Sequence, residues 1–179
     1  MSFISKFIYY KVFRWGIQGT FDSNIKKCVF VVAPHTSWWD FSLGVLTRNI
    51  LDIEINFVGK KELFKPPFGW YFRWMGGAPV DRVSKEKKVA AIADIFKSKD
   101  IFRLALSPEG TRQKSDRWRT GFYYIAEAAN VPIIMVAFDY GEKLTKFSEP
   151  FYTTGDIEKD LPKIQKFYEG VQGKFPEQF

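Results

Sequence analysis

Three runs constrain this chain more than any other feature. Cys28–Ala33, Phe102–Leu106 and Val131–Phe138 are apolar almost throughout and are of strand length. A strand with one wet face alternates apolar and polar residues, whereas these do not alternate, so both of their faces must be covered. Stretches that read as helices separate them, which predicts an α/β fold with a mostly parallel central sheet flanked by helices.

The remaining elements follow from local signals. Phe41–Ile50 reads as a helix with Asp40 near its N-cap, and Ile53–Val58 as a second strand. Residues 60–75 are helical or irregular, interrupted by Pro66, Pro67 and Gly69. Ala78–Val80 is a short strand and Ser84–Lys97 a helix capped by Ser84. Thr120–Asn130 is a helix stopped by Asn130, a charged region follows Phe138, and a final helix runs near Glu158–Gln172. In sheets of this kind ligands bind beyond the carboxyl ends of strands. His35, Arg82 and Glu109 to Arg112 all fall in such places.

At 179 residues the chain has room for one domain with its own core. Residues 1–20 are expected to form an N-terminal amphipathic helix and residues 21–179 a single domain. Ile4, Phe7, Ile8, Val12 and Trp15 share a face at helical spacing, although Lys11 falls within the stripe. Two readings of that helix stand: it packs on its own domain, or it lies in a bilayer surface with Trp, Tyr and Lys at headgroup depth. No apolar run reaches the roughly 18 residues of a membrane-spanning helix.

The single Cys (Cys28) and single His (His35) exclude a zinc site of Cys and His ligands and any intramolecular disulfide. Neither Gly-x4-Gly-Lys-Ser/Thr nor Gly-x-Gly-x-x-Gly occurs, which argues against nucleotide and dinucleotide binding. No metal and no cofactor is expected.

Three short constellations carry chemistry. His35 precedes Asp40 by five positions, so a curled loop brings the carboxylate to one imidazole nitrogen and leaves the other free to accept a proton. Ser107-Pro108-Glu109-Gly110-Thr111-Arg112 combines a flexible glycine with a planar guanidinium suited to phosphate, and Lys114, Arg117 and Arg119 follow. Gly76-Gly77-Ala78-Pro79-Val80-Asp81-Arg82 places another arginine at a strand end. Taken singly, each is equally a structural hydrogen bond, a turn or a surface ion pair.

In this order and spacing the three resemble the glycerolipid acyltransferases of the lysophosphatidic-acid acyltransferase type, which carry His-x4-Asp followed by Glu-Gly-Thr-Arg. His35 and Asp40 match the first motif, Arg82 the arginine closing the second, and Glu109, Gly110, Thr111 and Arg112 the third. Val131-Pro132-Ile133-Ile134 resembles the fourth, and the likeness runs from about Val31 to Phe138. There are departures. Met135 replaces a second proline, Ser107 an aromatic residue, and Pro34 a polar one, and the Trp38-Trp39 pair is atypical.

The resemblance implies a glycerol-3-phosphate acyltransferase-like fold and transfer of a fatty acyl group from acyl-CoA or acyl carrier protein to a lysophospholipid hydroxyl. His35 would be the general base and Asp40 its orienting carboxylate. Arg82 and Arg112 would hold the acceptor phosphate, and Gly110 and Thr111 would belong to the same binding loop. Glu109 would either hydrogen-bond the acceptor or brace the arginine loop. The formal charge of +7 and the 18% aromatic content suit anionic lipid, CoA phosphates or an acidic carrier protein. The expected location is cytoplasmic, on the inner face of the membrane. The rival readings are the same chemistry on a sugar, another lysophospholipid or an amino-lipid, or a non-catalytic lipid- or nucleic-acid-binding module. No nucleic-acid motif is present to support the last.

Overall fold

A computed structural model describes residues 2–80, 85–114 and 117–178. Its main sheet has five strands in the order β1-β7-β6-β2-β5. At its centre, β2 (Lys27–Val32) pairs in parallel with β5 (Phe102–Leu106) on one side and β6 (Ile133–Asp139) on the other. These are the three apolar runs of the sequence. All seven residues of β6 are buried, as a strand covered on both faces requires. Fully burying each such aliphatic or aromatic side chain is worth about 1.5–3 kcal/mol.

One side of the sheet packs against α4 (Lys85–Ser98), α5 (Gly121–Ala129) and α6 (Ile157–Lys166), through a cluster that includes Val29, Phe96, Leu104, Tyr123, Ile133 and Ile164. Asn130 ends α5 in the left-handed conformation expected of a C-terminal stop. The other side carries Phe30, Ile134 and Val136, and α2 (Trp39–Leu51), whose Leu43 packs with Phe138, Tyr9 and Trp15.

A second, two-stranded parallel sheet pairs β3 (Phe57–Lys60) with β4 (Gly77–Val80), and α3 (Gly69–Trp74) lies between them in sequence. Asn56 joins it to the main sheet. Its backbone N–H donates to the Arg103 carbonyl at 2.7 Å, and its carbonyl accepts from Ala105 N–H at 2.8 Å. Its side-chain oxygen also accepts from Arg103 N–H at 3.2 Å.

Several boundaries differ from those expected. The second strand begins at Phe57 and not at Ile53, because Asp52 adopts a left-handed cap after α2 and turns the chain, which buries Ile53. The charged region after Phe138 contains β7 (Leu144–Phe147), antiparallel to β6. Asp139 nucleates that hairpin by accepting the N–H groups of Gly141 and Glu142 and by pairing with Lys146 at 2.8 Å. The last helix stops at Lys166, and residues after it turn back over the sheet. Ser84, expected to cap α4, lies outside the described residues.

The N-terminal segment is the largest departure. Helix α1 (Ser2–Lys6) runs into a π-helical stretch, Phe7–Val12, and Gly16–Gln18 then form β1, parallel to β7. The wider π turn breaks the face that regular helical spacing would give. Tyr9 and Trp15 turn inward and both reach Thr145 Oγ1, at 2.7 and 3.1 Å. Phe3, Ile4, Phe7 and Val12 are left in solvent.

Candidate active site

Parallel strands end on the same side of a sheet. Because β2, β5 and β6 are adjacent and parallel, the loops after them open together. His35 follows β2, Glu109 follows β5 and Tyr140 follows β6. This juxtaposition builds the site.

Ser37-x-x-Asp40 shapes the first loop. Ser37 Oγ accepts the Trp39 N–H at 3.2 Å, and Asp40 Oδ2 reaches back to accept the Ser37 N–H at 2.9 Å. Together these bonds close the turn that leads into α2. They anchor Asp40 in the first turn of α2, where the helix dipole also favours its charge. The anchored carboxylate lies 3.1 Å from His35 Nδ1. Asp40 is buried, whereas the imidazole is partly exposed. Its Nε2 is then the nitrogen available to take a proton.

Glu109 is 3% exposed, and its carboxylate binds the other end of the dyad. Both oxygens accept the His35 backbone N–H, at 3.0 and 3.1 Å. Burial pushes this carboxyl above its ordinary range, an effect the His35 N–H offsets. These hydrogen bonds brace the histidine loop, and not the arginine loop that was one of the two roles expected for Glu109.

The rest of the third motif lies beside it. Gly110 has φ +65°, a left-handed conformation that favours glycine, and it packs against the Arg119 side chain. Thr111 Oγ1 accepts the Gln113 N–H. The Arg112 guanidinium lies 3.8 Å from the centre of the Trp38 ring, and its Nε is buried with no partner among the described residues. The atypical Trp38 thus brings the first and third motifs into contact. Arg82, the arginine of the second motif, lies outside the described residues, beyond the end of β4. Cys28 is fully buried in β2, and burial pushes its thiol up to about 12, so it is no nucleophile. Among the described residues, no group of three or more His, Cys, Asp or Glu side chains could hold a metal ion.

Comparison with known proteins shows the family. Residues 17–139 match the acyltransferase family. The chain belongs to that family. Two curated relatives, both named 1-acyl-sn-glycerol-3-phosphate acyltransferase, illustrate the likeness. The protein from Streptococcus pneumoniae is 32% identical over 117 residues, covering 64% of this chain and 43% of that one. The Escherichia coli protein is 34% identical over 112 residues, covering 59% and 44%. The chain therefore spans less than half the length of either. The crystal structure of the 1-acyl-sn-glycerophosphate (LPA) acyltransferase PlsC from Thermotoga maritima shares the fold. It aligns with a TM-score of 0.57 and 20% identity over 97% of this chain and 81% of that one.

Sequence reasoning missed two contributors. Ser37 was legible in the Ser-x-x-Asp spacing that often precedes a helix. Tyr140, whose hydroxyl donates to Asp40 Oδ1 at 2.7 Å, left no local signal, because it lies 100 positions from its partner.

Proposed function

We propose that the protein transfers a fatty acyl group from acyl-CoA or acyl carrier protein to the free hydroxyl of a lysophospholipid. The foremost acceptor is 1-acyl-glycerol-3-phosphate, and the product is phosphatidic acid. The observation that carries the reading is the His35 Nδ1–Asp40 Oδ2 pair at 3.1 Å, in a loop whose Trp38 ring lies under the Arg112 guanidinium. The names of the curated relatives support the same acceptor.

In the reaction, Nε2 of His35 takes the proton from the acceptor hydroxyl as its oxygen attacks the thioester carbonyl. Asp40 holds the Nδ1 proton and stabilises the imidazolium that forms. The tetrahedral intermediate collapses, the C–S bond breaks, and the thiolate leaves with the proton from His35. The products are an oxygen ester and a free thiol, with no acyl-enzyme. Arg112 supplies a planar fork for the acceptor phosphate, with Arg82 as the second cation. Gly110 and Thr111 shape the loop that presents Arg112.

The substrates belong to a membrane, and the surface suits one. No helix among the described residues is long and apolar enough to cross a bilayer. Large apolar side chains nevertheless stand in solvent: Phe3 (83% exposed) on α1, Trp38 (72%) before α2, and Trp70 (70%) and Trp74 on α3. These elements are tied together. Asn49 of α2 donates to Ser5 of α1 at 3.4 Å, and Arg48 of α2 donates to the Met75 carbonyl after α3 at 2.9 Å. With Lys6, Lys11 and Arg14 nearby and a formal charge of +7, they fit peripheral attachment to a leaflet carrying anionic lipid.

The test is thiol release from palmitoyl-CoA or palmitoyl carrier protein, with lysophosphatidic acid, another lysophospholipid, a sugar or no acceptor. Mass spectrometry identifies the product. Release is expected with lysophosphatidic acid, and a loss of about two to four orders of magnitude in His35→Ala. Acceptor-independent release, or full activity in the variant, sinks the mechanism.

A further inference from the structure

Asp40 has two carboxylate oxygens, and the His35 pair accounts for only one of them. Oδ2 faces His35 Nδ1 and the Ser37 N–H. Oδ1 accepts the Tyr140 hydroxyl at 2.7 Å, the shortest contact the carboxylate makes. A hydrogen bond to a buried charged acceptor is among the stronger kinds.

The hydroxyl is delivered from a fixed mount. Tyr140 directly follows β6, so its backbone leaves the sheet beside the strand that leads to His35. Its N–H donates to the Gln172 carbonyl at 2.8 Å. Its ring meets Trp15 edge to face at 4.9 Å, and the Trp15 indole N–H is itself held by Thr145 of β7. Burial and the adjacent Asp40 raise the phenol far above its ordinary 10, so it remains a donor.

We propose that Tyr140 is a positioning residue of this site: by occupying Asp40 Oδ1 it fixes the carboxylate plane, so that Oδ2 selects the His35 tautomer protonated at Nδ1. That tautomer leaves Nε2 unprotonated and able to accept the hydroxyl proton. Without the phenol, the Asp40 carboxylate can turn about its own side-chain bond. The ring then populates the opposite tautomer, whose Nε2 already bears a hydrogen. The catalytic part of this assignment rests on the acyl-transfer reading above.

The test is Tyr140→Phe, which keeps the ring, its contact with Trp15 and the backbone hydrogen bond. His35 is the only histidine, so a sample labelled with 15N-histidine reports its tautomer without assignment, and without turnover. The expected result is one dominant Nδ1–H tautomer in the wild-type protein and a mixture in Y140F. With it, kcat falls about tenfold, the equivalent of one hydrogen bond to a charged group, while KM for both substrates is unchanged. Should Phe at this position fail to fold, 4-fluorophenylalanine fills the hydroxyl's volume without donating and serves the same purpose. An unchanged His35 ring spectrum in the folded variant overturns the proposal, whatever happens to activity. So does a loss confined to KM. A tautomer shift in a protein that turns over no acceptor would uphold the Tyr140–Asp40–His35 coupling and sink the acyl-transfer reading instead.

Discussion

Glu109, at the end of β5, holds His35, at the end of β2, by accepting its backbone N–H through both carboxylate oxygens at 3.0 and 3.1 Å. The glutamate of the third motif therefore acts on the first motif through the main chain, 74 positions away. The contact exists because β2 and β5 are parallel neighbours in register, with Val31 opposite Leu106.

This contact has a pH signature. Burial raises the Glu109 carboxyl above 4.5, so the folded protein holds that proton more tightly than the unfolded chain. The contribution of the group to stability therefore falls as pH rises from about 4.5 through the folded value. Glu109→Gln keeps an oxygen for the His35 N–H and removes the titration. The melting temperature of E109Q relative to wild type is expected to be higher at about pH 7 than at about pH 4. A difference that does not vary with pH would refute the buried ionisation.

Trp38 and Arg112 predict a split between acceptors. A cation lying over an exposed indole gains about 0.5–1 kcal/mol. Trp38→Leu is expected to raise KM for a phosphorylated acceptor about two- to fivefold and to leave kcat unchanged. Arg112→Ala should raise it further, and more than for a phosphate-free acceptor. Equal effects on both acceptors would remove phosphate from the role of Arg112. The readout is initial rate against acceptor concentration.

The exposed N-terminal side chains predict weaker lipid binding without loss of fold. Phe3 and Phe7 are more than half exposed, so Phe3→Ser with Phe7→Ser should leave the melting temperature unchanged. Each phenyl that enters a bilayer contributes about 1.5–3 kcal/mol, so the double variant should sediment with anionic vesicles at least tenfold more weakly. Undiminished sedimentation would place the membrane contact elsewhere.

Asn56 predicts a mechanical weakness between the two sheets. Asn56→Ala removes the acceptor for the Arg103 N–H and the donor to the Gly76 carbonyl, in a residue only 6% exposed. Leaving such groups unpaired costs about 1–3 kcal/mol. Urea denaturation should show that loss with an unchanged m-value. A neutral result would mean that the backbone pairing of residue 56 alone joins the sheets.

The N-terminal segment shows where local reading fails. Its spacing of Ile4, Phe7, Ile8, Val12 and Trp15 assumes a regular helix, but Tyr9 and Trp15 gain more by reaching Thr145 on β7. The π turn that permits this turns Ile4 and Val12 outward. Likewise β7 was hidden in a charged stretch, because Lys146 looks solvated until Asp139 is placed opposite it.

The apolar strands β2, β5 and β6, the helices between them, and His35, Asp40 and Glu109 to Arg112 as residues of interest are all readable from the order of amino acids alone. The strands follow from local patterns, because burial on both faces leaves its mark directly, and the site residues follow from the order and spacing of three short motifs. What those residues touch is set by the folded arrangement of the strands. Strand order set Glu109 against the His35 backbone, Trp38 against Arg112 and the Tyr140 hydroxyl on Asp40. Each of these contacts joins segments whose separation along the chain has no periodicity, so their meeting depends on which strands become neighbours and in what register.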